Sequence, residues 1–143
     1  SGQNYFFVFD IIKNKIVKKV ETPLTMFVRD IYPTFYNDNL YIADENYLYC
    51  FNLEGKVIKT SNTIFFCNRS SPCIIGNKIG LTPFDEGFLL INLNDFKVID
   101  SYKFGGKTNM LLSSFVFNEF LWCPFIENRE KFMPFRKPFF ARF

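Results

Sequence analysis

Histidine is absent from all 143 residues, which removes the commonest general base at neutral pH and the commonest metal ligand. Ser-His-Asp and Cys-His nucleophilic sites and histidine-based zinc sites are therefore excluded within this chain. What remains for chemistry is four cysteines, two acidic pairs and one short glycine-rich stretch. Cys67 and Cys73 flank Asn68-Arg69-Ser70-Ser71-Pro72, a turn-like segment, and suit a small disulfide-closed loop in an oxidising compartment. Asn68-Arg69-Ser70 is also a formal N-glycosylation acceptor. Cys50 and Cys123 lie in apolar runs and read as buried thiols. Asp44-Glu45 and Asp85-Glu86 have the chemistry to hold a hard cation or to act as acid and base. Their recurrence at equivalent turns instead reads as solvated hairpin tips. Gly105-Gly106-Lys107-Thr108 lacks the first glycine of a phosphate loop, because position 101 is serine, and reads as a connecting loop. No catalytic, metal or cofactor-binding residue emerges, so the expectation is a chain that is not an enzyme and carries no cofactor.

The elements around these residues are all of one kind. With 21 Phe, 7 Tyr and one Trp, aromatic residues make up 20% of the chain, and rings fit a pleated surface better than a helix. Short apolar or alternating runs bounded by Asn, Asp, Gly and Pro recur along most of it, and no amphipathic helix is evident. One unit reads as strands Tyr32–Tyr36, Asn39–Ala43, Tyr47–Asn52 and Lys56–Thr60, with turns at Asn37-Asp38, Asp44–Asn46 and Glu54-Gly55. A second follows as Cys73–Ile75, Ile79–Thr82, Phe88–Asn92 and Lys97–Ser101. A third begins with Ser114–Phe117 and Phe120–Cys123, turns at Glu127-Asn128, and continues through Lys131–Phe135 and Lys137–Phe143. Pro134 and Pro138 confine those last two strands to edge positions. Glu45, Glu86 and Glu127 stand 41 residues apart, each assigned to a turn.

The run Asn46-Tyr-Leu-Tyr-Cys-Phe-Asn-Leu-Glu-Gly-Lys-Val-Ile58 has degraded copies at Asn4–Val17 and Gly87–Ile99. Phe9 to Phe51 is 42 positions and Phe51 to Ile91 is 40, within the period of roughly 40 to 45 that four-stranded propeller blades use. Together with Leu40–Asn46, this run resembles the repeats of β-propeller families, in particular the quinoprotein-like repeat and the related NHL type. The shared pattern is an apolar strand, an acidic turn, a strand ending in Asp or Asn, and Gly-Lys before the closing strand. The tryptophan that follows the Gly-Lys-apolar run in quinoprotein repeats is replaced here by Lys59-Thr60. The resemblance implies an all-β fold of antiparallel four-stranded blades, about three to three and a half of them. It also implies a competing function, a small ligand or cofactor held in a central channel.

Ser1-Gly2 reads as a tag scar, and residues 3–143 as one partial propeller-like domain. Its parts are a half blade at 3–22, blades at 31–61 and 73–104, and an irregular last blade at 113–143. A half blade exposes an unpaired strand edge, and propellers usually close with four or more blades. The expected partner is therefore another protein or a second copy that completes the ring, meeting the chain at Tyr5, Phe7 and Phe9 and at Arg136, Lys137 and Arg142. Net charge is +3, and residues 129–143 alone carry +4. Basic residues interleaved with Phe132, Phe135, Phe139, Phe140 and Phe143 also suit single-stranded nucleic acid or an anionic membrane. The competing reading is a closing blade with its rings in the core and its cations in water. No run reaches the roughly 18 apolar residues of a membrane helix, and the compartment is left open.

Overall fold

The computed structural model describes residues 4–24, 33–44, 46–63, 65, 71–83 and 87–102, with the backbone of 108–111, 115–117, 120–127 and 139–142. Among them there is no helix, and every strand pairing is antiparallel. Strands β1 (Asn4–Asp10) and β2 (Lys15–Thr22) form a two-stranded hairpin. Strands β3 (Thr34–Tyr36), β4 (Asn39–Ala43), β5 (Leu48–Phe51) and β6 (Val57–Thr60) make a four-stranded meander in chain order. A second meander holds β7 (Cys73–Ile75), β8 (Lys78–Leu81), β9 (Phe88–Asn92) and β10 (Val98–Tyr102).

The copies match down to their irregularities. Val8 pairs with Lys18 and Phe9 with Ile16, which leaves Val17 as an extra residue. Cys50 and Phe51 skip Ile58 in the same way, and Leu90 and Ile91 skip Ile99. The three bulged residues stand 41 apart and are all about half exposed, at 49%, 53% and 48%. A bulge leaves its extra residue outside the pleat, so these aliphatic side chains sit in water for a backbone reason. The turn before each bulge has a left-handed residue at an equivalent position: Asn14 (φ 49°), Gly55 (φ 80°) and Phe96 (φ 57°), again 41 apart. The Asp or Asn that closes the preceding strand caps each turn. Asp10 Oδ1 accepts from the Ile12 and Lys13 amides, Asn52 Oδ1 from Lys56, and Asn92 Oδ1 from Asn94.

Strand alternation gives the β3–β6 and β7–β10 sheets two apolar faces each. In the β3–β6 sheet, Ile42, Tyr49 and Phe51 turn toward the β1–β2 hairpin and pack with Leu24 and Phe6. Tyr41, Ala43, Leu48 and Cys50 turn the other way, onto Ile79, Leu81, Leu89, Ile91 and Phe96 of the next sheet. The cross-strand pairs agree with this: Ile42 faces Tyr49, and Ala43 faces Leu48. Each fully buried Leu, Ile or Phe contributes about 1.5–3 kcal/mol. The stability therefore lies between sheets stacked face to face. Thr34 Oγ1, on β3, donates to the carbonyl of Pro72, just before β7.

The fourth sheet departs from the pattern read in the sequence. Strands β11 (Thr108–Leu111) and β12 (Phe115–Phe117) pair with successive parts of β13 (Phe120–Glu127), and β14 (Phe139–Arg142) pairs with the other side of β13. Strand β13 runs on past Cys123, so Glu127 lies in a strand rather than at a turn. Cys123 and Pro124 fall between the two ladders on the β11 and β12 side. Pro124 has no N–H to give to a ladder. The 131–135 segment and both tail prolines lie outside the described residues.

Candidate interaction surface

The hairpin β1–β2 corresponds, by its bulge and its capped turn, to the third and fourth strands of a blade. Its inner face is anchored by Phe6, whose ring meets Phe51 edge-on at 5.2 Å and 78°. Asn4 Nδ2 donates to the Leu24 carbonyl at 2.7 Å. Tyr5, Phe7 and Phe9 alternate onto the opposite face, across from Glu21, Lys19 and Ile16 on β2. Lys19 Nζ sits 3.7 Å over the Tyr5 ring and 5.9 Å from that of Phe7. Phe7 is 57% exposed and Phe9 51%, whereas Tyr49 and Phe51, at the same positions of β5, are 5% and 0%. Strands β5 and β9 are flanked by β4 and β8. The corresponding edge of β1 has no strand against it among the described residues.

Tyr5, Phe7 and Phe9 are thus gathered on one face. Arg142 ends β14 in the fourth sheet, and no pairing joins β14 to β1 among the described residues. Arg136 and Lys137 lie outside the described residues, as does Cys67. Cys73 is a buried thiol in β7, and Cys50 a buried thiol in β5.

One residue that sequence reasoning misassigned is Asp44. Read as part of a solvated hairpin tip, it is fully buried. Its Oδ1 accepts from the Asn46 and Tyr47 amides at 2.8 and 2.7 Å, and its own amide donates to the Tyr47 carbonyl. It builds the turn from inside, which serves structure and leaves no open carboxylate there. Burial first, and then the charge and hydrogen bond of Asp44, hold the Tyr49 hydroxyl above the ordinary tyrosine range. Tyr41 is pushed up to about 12 by burial and by its hydrogen bond with Cys50, whose thiol burial also raises. Glu45, Asp85 and Glu86 lie outside the described residues. Among the described residues, no three His, Cys, Asp or Glu side chains converge as a metal site.

Two lysines went unremarked in the sequence. Lys18, on β2, donates to the Glu54 carbonyl in the β5–β6 turn. Lys59, on β6, donates to the Leu93 and Asn94 carbonyls in the β9–β10 turn at 3.1 and 2.6 Å, and lies 4.8 Å over the Phe96 ring. The two lysines stand 41 apart and do the same thing: each fastens the outer strand of one sheet to a turn of the next. Lys59 occupies the place where the quinoprotein resemblance expects tryptophan. The next position in the series is Asp100, which is exposed. Equal spacing was the available signal, but a lone lysine every 41 residues looks like any solvated charge.

Comparison with known proteins bears on the fold alone. No protein-family profile matches the sequence, and no curated protein is similar to it in sequence. Among solved structures, BamB from Moraxella catarrhalis, a β-propeller, is similar with a TM-score of 0.62 at 17% identity. The sheets here are blades of a β-propeller. The match covers 83% of this chain and 34% of BamB, so the chain spans about a third of that propeller protein. The computationally designed Ika4 protein is similar with a TM-score of 0.63 at 6% identity, over 96% of this chain and 79% of that one.

Proposed function

We propose that the chain is a non-catalytic propeller-type module that holds a protein partner, as part of a larger protein or assembly. One observation carries this reading: Phe7 and Phe9 lie in water at positions where Tyr49 and Phe51 are buried by a neighbouring sheet. Exposed aromatic residues on an open sheet edge suit recognition by another protein. The test is affinity capture from lysate of the source cells, with the Phe7→Glu/Phe9→Glu variant beside the unaltered protein. Partners retained by the unaltered protein and lost from the variant support the reading; an unchanged set overturns it.

The second reading is a quinoprotein-like ligand binder. It rests on the strand-closing Asp10, Asn52 and Asn92, each capping a turn in the pattern of those repeats. A visible absorbance band in the purified protein, or a thermal shift with quinone and calcium, favours it. A bare protein spectrum with no shift removes it.

A further inference from the structure

We propose that the Asp10–Asn14 turn at the tip of the hairpin docks on an anionic lipid bilayer, with Ile11 and Ile12 entering the apolar layer and the lysines around them meeting the headgroups. The proposal goes beyond the protein-partner reading and uses other residues. Among the described residues the two tip side chains are the most exposed large hydrophobic ones, Ile11 at 85% and Ile12 at 92%. Exposure alone names no partner, but the repeat supplies a comparison. The Asn92–Phe96 turn has the same build: Asn92 caps it as Asp10 caps the first, and in each the left-handed residue comes four positions after the cap. Ile11 then corresponds to Leu93, which packs against the core between the sheets. Ile12 corresponds to Asn94 and Lys13 to Asp95, and both Asn94 and Asp95 lie in water although a sheet is stacked over β9. Position 12 therefore faces solvent whatever lies across the hairpin. Where the later turn is polar and acidic, this one is apolar and basic.

The charge around the tip says which partner. Residues 10–19 hold Lys13, Lys15, Lys18 and Lys19 against the single acid Asp10. Lys13 pairs with Asp10 at 3.3 Å, while Lys18 and Lys19 engage a carbonyl and aromatic rings, which leave their charge in place. Lysine stems can lie along the apolar layer while their ammonium groups stay among headgroups. Asp10 Oδ1 accepts from the Ile12 and Lys13 amides, so these donors enter the interface already bonded, where an unmet donor is costly. A bilayer takes a convex aliphatic tip without a shaped pocket, and its anionic lipids attract each lysine. Nucleic acid fits less well, because isoleucine has no ring to stack on a base.

Flotation of the full chain with vesicles of phosphatidylcholine, alone and mixed with phosphatidylserine, tests this. The expected result is binding to the mixed vesicles that weakens as salt is raised. Ile12→Ser and Ile11→Ser should each lower it about 10-fold, and Lys15→Gln about 5-fold. Ile99→Ser, at an exposed aliphatic residue of β10, should bind as the unaltered protein does. The emission of Ile12→Trp should shift to the blue on adding mixed vesicles, beyond any change from Trp122 in the unaltered protein. Neither tip isoleucine is in the core, so unchanged thermal unfolding without vesicles shows that the variants fold. No binding to the mixed vesicles at low salt, or binding indifferent to positions 11 and 12, overturns the proposal. So does salt-dependent binding to an oligonucleotide, or capture of a protein, that the tip variants lose while no vesicle is bound. Partners captured through Phe7 and Phe9 should be kept by Ile12→Ser, so this proposal and the protein-partner reading fail separately.

Discussion

The two face-to-face interfaces share one plan and are filled in opposite ways. Where the hairpin meets the β3–β6 sheet, the left-handed turn position is Gly55, and Val20 of the hairpin lies so close that an added Cβ would stand 2.9 Å from both of its methyl groups. Where that sheet meets the next, the same position is Phe96. Its ring is buried in the interface, edge-on to Tyr41 at 6.4 Å and beneath Lys59. In one interface the covering sheet pushes into the turn, and in the other the turn pushes into the covering sheet. The repeat fixes the backbone, and the volume between sheets is filled from whichever side has a side chain to offer. Phe96 bears the left-handed strain, about 1–2 kcal/mol for a residue with a Cβ, and its burial outweighs that cost.

The largest test of this contrast is Phe96→Ala, which should cost about 3–5 kcal/mol by urea unfolding, because it empties the interface and keeps the strain. Phe96→Gly removes the strain as well and should be about 1 kcal/mol less damaging than Ala, an inversion of the usual order of Ala and Gly. Equal losses would mean that strain plays no part. Gly55→Ala should cost about 1–3 kcal/mol through the left-handed backbone and the clash with Val20. In a Val20→Ala background part of that loss should disappear in a double-mutant cycle; full additivity would deny the contact. Lys59→Met should cost about 1 kcal/mol, and Lys18→Met less, because Lys59 is half-buried and makes two carbonyl bonds while Lys18 is exposed.

The smallest effect at neutral pH appears only on titration. The Tyr41 hydroxyl titrates near 10.0 when unfolded and at about 12 when folded. The folded state therefore favours its neutral form, and this stabilisation is complete below pH 10 and lost as pH rises through 12. Tyrosine ionisation followed by ultraviolet absorbance should lag behind free tyrosine and then coincide with unfolding. The Tyr41→Phe variant should lose less stability over that interval.

The antiparallel blades were legible in the sequence because their causes are local. Two-residue alternation in Leu40–Ala43 and Leu48–Phe51, and Asn37-Asp38 and Glu54-Gly55 as turns, follow from neighbours a few residues apart. The exposed Val17, Ile58 and Ile99 were not legible, since a bulge is set by the register between two strands. The buried Asp44 was misread for a related reason: its sequence is that of a polar turn, but its carboxylate faces inward to the amides it caps. The last sheet misled because its strand was read as Phe120–Cys123, whereas β13 runs on through Pro124 to Glu127, past a gap between two ladders.

What the sequence determined alone is the 41-residue rhythm and the pattern of apolar positions within it, since both are written in residue types and spacing. It marks Phe7, Tyr49 and Leu89 equally as apolar positions of a third strand. The tertiary structure decided that Tyr49 and Leu89 are buried and Phe7 is in water, and that Lys18 and Lys59 fasten one sheet to the next. Burial depends on what lies across the face, and that neighbour comes from residues far along the chain or from another molecule.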